Sequence, residues 1–299
     1  MHMSVMFLLT LLRMRLILST VFNRAGKSNS MEIRWDSLYT RERHGVHGRT
    51  TDMVRASFVR IRDAHLKLMS TMSTTRTSCV MRDKVVAHRG RHKGTVILLH
   101  GMYGSANDFD DISLHLSYMG CRCILMSAPR RTVHWPSGAE EDVTSWYDYY
   151  TKKDGEEEHD TINLRHLEAQ TEKLVTIFKT ERRRIEPSRI FVGGCSQGGT
   201  VAMHACATGA LKHIGGALSL RACFMHSLVK TPLVKDLNLL VFAGSSDDVY
   251  TLSLQRTAFG VFEQHGANVQ WVVKKDLKHH SPSSSEMTCS IQFICSLIK

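Results

Sequence analysis

Prolines are scarce, five in 299 residues, so a long proline-rich linker is excluded. The eight cysteines (Cys79, Cys121, Cys123, Cys195, Cys206, Cys223, Cys289 and Cys295) include no C-x-x-C pair. A zinc ribbon or a thioredoxin-like redox site therefore has no support. Most of these cysteines fall in apolar stretches and are expected to be reduced core thiols of a cytosolic protein. The N-terminal apolar run, residues 5–12, is too short for a membrane span, which takes about 20 apolar residues. No acid precedes Glu32, and no internal repeat is visible.

The missing acids point to an uneven charge distribution. Residues 1–98 hold 18 Lys+Arg against 6 Asp+Glu, a net of +12, whereas residues 99–299 hold 21 against 22, a net of −1. The overall +11 is thus an N-terminal property. A basic arm suits nucleic acid, an anionic membrane or an import receptor; the plainer alternative is a solvated leader. Arg13, Arg15, Arg24 and Lys27 suit a mitochondrial leader, and residues 5–12 suit a signal-peptide core without a clear small-residue cleavage site. Met69 and Met72 open a Ser/Thr-rich run, where a working polypeptide could begin. The expected organisation is a basic extension over residues 1–68 and a folded domain over residues 69–299. At 42% hydrophobic, the chain can bury a substantial core.

From about residue 79 the pattern sharpens. Residues 79–88 read as a short strand or hairpin. Thr95-Val-Ile-Leu-Leu-His100 is a buried parallel-type strand, followed by a glycine-punctuated loop over residues 101–107. Helices are expected over residues 109–119, 161–179, 251–265 and 286–298. Further strands are expected at Cys121–Met126, Gly216–Leu220 and residues 239–243 and 269–273. Residues 130–160 read as a long polar loop carrying Trp135, Trp146, Tyr147 and the acids Glu156, Glu157 and Glu158. This alternation predicts an α/β fold with a mainly parallel central sheet and helices on both faces.

The stretch Ile190-Phe-Val-Gly-Gly-Cys-Ser-Gln-Gly-Gly-Thr200 carries the chemistry. Gly194-x-Ser196-x-Gly198 has the strand–turn–helix pattern that exposes a nucleophilic serine on a strained bend. Its flanking glycines let strand and helix approach without Cβ atoms between them. A serine hydroxyl is a weak nucleophile and needs a base, which in turn needs an orienting acid. Such triads run Ser, Asp/Glu, His along the chain, on loops after successive strands. Asp247, just past the strand at residues 239–243, is the expected acid, with Asp248 in reserve; the alternative is that these acids only cap the next helix. His280, in Lys278-His279-His280-Ser281, is preferred to His279 as the base. The expected oxyanion donors are the backbone N–H groups of Gln197 and Met102. His100 is expected to be structural. Trp135, Trp146, Tyr147, Met102 and Leu252 are candidate walls of an acyl-binding channel, each equally suited to core packing.

Several of these pieces together resemble the acyl-protein thioesterase/lysophospholipase-carboxylesterase family of α/β-hydrolases. They are Leu99-His100-Gly101-Met102, Ser145-Trp146-Tyr147-Asp148, Gly193-Gly-Cys-Ser-Gln-Gly-Gly199, Gly244-x-x-Asp247 and His280-Ser281, in that order over roughly residues 80–299. The resemblance implies a small lidless α/β-hydrolase that uses Ser196, Asp247 and His280 and no cofactor or metal. It implies hydrolysis of thioesters on S-palmitoylated proteins, or of lysophospholipids and short carboxyl esters, by a cytosolic enzyme that visits membranes. No nucleic acid is expected for the hydrolase domain. Three stretches depart from the family, one of them the loop around residues 130–160, which is longer and more acidic than the family's. The family's His-Gly-Asp-x-Asp-Pro reads here Ala243-Gly244-Ser245-Ser246-Asp247-Asp248, and its Gly-Asp-Thr-Gly reads Tyr103-Gly104-Ser105-Ala106.

Overall fold

A computed structural model describes residues 82–134, 140–149, 162–225, 236–281 and 283–298. All belong to the second of the two units into which the chain divides, Ser78–Lys299. The expected boundary at residues 68/69 lies outside the described residues, as does the basic extension.

Seven strands form one sheet: β1 (Lys84–Val86), β2 (Gly94–Leu99), β3 (Cys121–Met126), β6 (Ile190–Cys195), β7 (Gly216–Leu220), β8 (Asn238–Gly244) and β9 (Asn268–Lys274). Their spatial order is β1-β3-β2-β6-β7-β8-β9. Every pairing is parallel except β1 with β3. The helices are α1 (Asp110–Tyr118), α2 (Leu164–Glu181), α3 (Gln197–Ala207), α4 (Leu252–Gln264) and α5 (Ser284–Leu297). The predicted α/β architecture with a mainly parallel sheet is the observed one.

The strands read as unbroken apolar runs because both faces of the sheet are covered. Along β2, Ile97 and Leu99 enter one core with residues of α2, α3 and α4, including Leu174, Val201 and Phe259. Val96 and Leu98 enter a second core with Ile112 and Leu116 of α1 and Phe293 and Ile294 of α5. Residue i faces one layer of helices and residue i+1 the other, which follows from the period-two geometry of a strand.

One element was hidden in the sequence. The expected loop over residues 130–160 contains an antiparallel pair, β4 (Arg130–His134) and β5 (Glu140–Thr144), separate from the main sheet. Within β4 only Val133 is buried, and in β5 only Val143 and Thr144. Such charged, single-valine strands carry almost no hydrophobic alternation to read. Residues 135–139 and 150–161, with Trp135 and the three glutamates, lie outside the described residues.

The sheet places three strand ends beside one another: those of β6, β7 and β8, with β9 at the edge. In open parallel sheets, sites form at the carboxyl ends of strands. Here those ends lead into Ser196, Arg221, Asp247 and the loop that carries His279.

Candidate active site

Ser196 follows β6 with φ 51° and ψ −127°. This backbone is strained for a residue with a Cβ. The strain is held from all sides. Ser196 N–H donates to the Leu220 carbonyl at 3.1 Å, and its own carbonyl accepts Thr200 N–H at 3.1 Å. A Cβ on Gly194 would stand 2.5 Å from the Leu99 carbonyl oxygen and 2.6 Å from the Gly198 carbonyl carbon. One on Gly198 would run into the carbonyl oxygens of His100 and Leu99. The two glycines therefore let α3 start directly against β2 and β6, and the serine caps the bend. The helix begins at Gln197, immediately after the serine, because the elbow is itself the first turn.

The imidazole next to this serine belongs to His279. Its Nε2 lies 2.9 Å from Ser196 Oγ, and its Nδ1 lies 3.1 Å from both Oδ1 and Oδ2 of Asp247. With an ionised Asp247, Nδ1 carries the proton and donates it, and the Nε2 lone pair accepts the serine hydroxyl. The expectation of His280 is corrected: that side chain is exposed, whereas His279 is 5% exposed. The reason lies in the phase of the loop. Burial alternates over buried Leu277, exposed Lys278, buried His279 and exposed His280. Leu277 packs into the second core, so the position two residues later shares its side. Leu277 was the available signal; the position of a histidine relative to Ser281 was not.

Asp247 stands where the sequence placed it, with its side chain fully buried. Its Oδ1 also accepts Tyr250 N–H at 2.8 Å and Val249 N–H at 3.0 Å. These bonds fix the carboxylate before it meets the imidazole. Asp248 does not cap α4, since Thr251 does so through Leu254 N–H at 3.3 Å. Its Oδ1 instead accepts the backbone N–H of His279 at 3.4 Å. The acid loop and the histidine loop are joined further by Ser245 N–H to the Lys274 carbonyl, 2.9 Å, and Ser246 N–H to the Leu277 carbonyl, 3.2 Å. The missing Cβ of Gly244 leaves room for the Leu277 carbonyl. The ring of Tyr250 meets His279 edge-on at 5.4 Å.

The expected oxyanion donors lie on either side of the serine. Gln197 is the first residue of α3, so its N–H has no intrahelical acceptor. Gly101 packs against Ser196, whose Cβ would be 3.4 Å from a Cβ placed there. In this turn Tyr103 N–H donates to the Thr144 carbonyl and Gly104 N–H to the Gly101 carbonyl. Met102 N–H has no acceptor among the described residues. The Gly101 carbonyl also accepts from His100 Nδ1 at 2.6 Å, while His100 Nε2 accepts Ala128 N–H at 3.1 Å. Peptide planarity then turns Met102 N–H away from the side on which that carbonyl is held. His100 is fully buried and is held neutral, since burial pushes its pKa down. It is structural, as expected.

Trp146 and Tyr147 are corrected as channel walls. Both are 0% exposed and belong to the first core. Trp146 Nε1 donates to the His100 carbonyl at 2.6 Å. Sequence reasoning missed what holds this segment, the side chain of Gln197. Its Oε1 accepts Ser145 Oγ–H at 2.9 Å and Trp146 N–H at 3.0 Å, and its Nε2 donates to the Tyr147 carbonyl at 3.2 Å and Tyr149 Oη at 3.0 Å. Met102 and Leu252 remain half-buried. Trp135 lies outside the described residues. No group of three or more metal-ligating side chains occurs among the described residues.

Known proteins resemble this chain. The family described as Phospholipase/Carboxylesterase matches residues 81–298. Acyl-protein thioesterase 1 homolog 1 of Dictyostelium discoideum is 25% identical over 210 residues, 68% of this chain and 90% of that protein. Among solved structures, Arabidopsis thaliana SOBER1 superposes with a TM-score of 0.59 at 19% identity, covering 69% of this chain and 99% of that one. Zea mays acyl-protein thioesterase 2 does so with a TM-score of 0.58 at 19% identity, over 73% and 99%. At these identities the structures bear on the fold.

Proposed function

Because this chain belongs to the phospholipase/carboxylesterase family, a group of esterases and thioesterases with the α/β-hydrolase fold, we propose that it is a serine hydrolase that cleaves acyl thioesters through a Ser196–His279–Asp247 triad. The observation that carries this is the hydrogen-bonded chain Ser196 Oγ, His279 Nε2, His279 Nδ1 and Asp247 at the tip of a strained elbow.

His279 takes the hydroxyl proton as Ser196 Oγ attacks the acyl carbon. Asp247 keeps the imidazole in the tautomer with Nδ1–H and stabilises the imidazolium. The negative oxygen of the tetrahedral intermediate meets the N–H groups of Gln197 and Met102. One such donor is worth about 2.7–4 kcal/mol of transition-state stabilisation. His279 then returns the proton to the leaving thiol or alcohol, and water repeats the sequence on the acyl-enzyme.

S-acylated proteins are the proposed substrates, met at a membrane surface by a cytoplasmic enzyme. The name of the Dictyostelium relative, an acyl-protein thioesterase homologue, supports this reading. No helix among the described residues is long and apolar enough to cross a membrane. A second reading, a carboxylesterase of short oxyesters, is favoured by the burial of Trp146 and Tyr147, which removes two expected walls of a long acyl channel. Each buried methylene contributes about 0.8 kcal/mol, roughly a fourfold gain in affinity.

The test is fluorophosphonate labelling of the wild type and Ser196→Ala, followed by thioester and oxyester series from acetyl to dodecanoyl. Labelling at Ser196 with thioester turnover rising with chain length is expected. Unlabelled wild-type protein would sink the serine mechanism and leave a non-catalytic binding module. Flat or falling turnover would favour the short-chain carboxylesterase.

A further inference from the structure

Arg221 follows β7 as Ser196 follows β6: Cys195 pairs with Leu220, and each strand leads into a residue of positive φ. At φ 47° Arg221 occupies a backbone region uncommon for a long side chain. Such strain persists only where the surroundings over-determine it.

The guanidinium is what they hold. Its Nε donates to Glu286 Oε2 at 2.6 Å and its Nη2 to Glu286 Oε1 at 3.2 Å, a two-pronged ion pair with 13% of each side chain exposed. Nη1 donates to the His279 carbonyl and to the Ser281 carbonyl, the latter at 3.1 Å. Nη2 also reaches Cys195 Sγ at 3.6 Å. A guanidinium has five N–H donors in a fixed plane, and all five have acceptors. Those acceptors lie on three segments: the residue before Ser196, the loop that presents His279, and the first turn of α5.

We infer that Arg221 is a positioning residue for the proposed base: it clamps the backbone of His279 and Ser281 to the nucleophile strand, and Glu286 neutralises and orients it. The inference rests on the assignment of His279 above. A buried ion pair is weak evidence for stability as such, because desolvation offsets most of the attraction. The described residues of the loop form no helix or strand, so the carbonyl on the residue that carries the imidazole is a direct handle on where Nε2 sits. Lysine cannot replace this fork, since it offers three donors from a single point.

The test compares wild type, Arg221→Lys, Glu286→Gln, His279→Ala and the double variant Arg221→Lys/His279→Ala on p-nitrophenyl butyrate, with the thermal midpoint of each recorded. Misplacing a reacting group by about 1 Å costs on the order of 100-fold, so Arg221→Lys should lose about 10- to 100-fold in kcat with KM unchanged. Glu286→Gln should lose less, in the same parameter, and serves if Arg221→Lys fails to fold. The double variant should be no slower than His279→Ala, because nothing is left to position. A merely structural role would lower the residual rate in the His279→Ala background by the same factor, which would overturn the clamp. So would wild-type turnover by Arg221→Lys beside an inactive His279→Ala. An active His279→Ala would instead overturn the base assignment, and the clamp with it.

Discussion

The bend that presents Ser196 is built from its own neighbours in the chain, with the Leu220 carbonyl on the next strand as a distant support, whereas His279 is held chiefly by other segments. The elbow consists of a strand, one strained residue and a helix, and the two glycines that permit it lie two residues to either side. The loop after β9 has no comparable local logic. It is fastened by Asp248 from the β8 loop, by the close approach of Leu277 to Gly244, and by Arg221 from the end of β7. The proposed nucleophile is thus encoded in about five consecutive residues, while its proposed base has to be delivered by contacts across up to some 60 positions of sequence.

The sharpest way to break this comparison is to remove each half. Ser196→Ala and His279→Ala should each lower kcat by roughly ten-thousand- to million-fold, and the double variant should be hardly worse than either, since the residues act as a unit. His280→Ala should stay within a few-fold of wild type; a loss as large as that of His279→Ala would reverse the assignment. Steady-state kinetics on a p-nitrophenyl ester reads all four variants.

A smaller effect is expected where the base loop meets the sheet. In Gly244→Ala the new Cβ meets the Leu277 carbonyl and pushes the loop outward. The expected loss is on the order of 100-fold in kcat, with Ser196 still present for slow labelling. Unchanged kcat would show that the loop tolerates the displacement.

On the elbow side, Gln197→Leu should act on stability. It leaves Trp146 N–H without its partner, while the Tyr147 carbonyl keeps the Ser145 hydroxyl at 2.7 Å, and a buried unsatisfied group costs about 1–3 kcal/mol. Urea denaturation should report a loss of about 1–3 kcal/mol; a loss well below 1 kcal/mol would mean the 145–149 segment is held by other contacts.

The smallest effect concerns pH. Burial pushes the pKa values of His100 and His204 below the ordinary 6.5. The unfolded chain therefore takes up protons below 6.5 that the folded protein refuses, so stability is present above that value and falls as pH drops through it. His204→Leu removes one such group and should flatten the decline in the urea midpoint between about pH 7 and 5. An unchanged slope would assign the decline to other groups.

The legible parts of the molecule were those whose cause lies in adjacent residues. The buried strands announce themselves because both faces are apolar, as in Thr95-Val-Ile-Leu-Leu. Asp247 follows a strand end at the distance its turn requires, and its carboxylate is fixed by N–H groups only two and three residues on. The β4–β5 pair was illegible because its charges outnumber its buried valines.

What the sequence alone determined is the layered α/β sheet, the elbow with Ser196, and the place of Asp247 just past a strand end, since each follows from side-chain period or from backbone sterics within a few residues. Tertiary structure alone decided which of two adjacent histidines turns inward, that Trp146 and Tyr147 are packed rather than presented, and that Arg221 reaches the loop of His279. Those outcomes depend on contacts between segments distant in sequence, and a one-residue change of phase in a loop leaves no trace in composition or spacing.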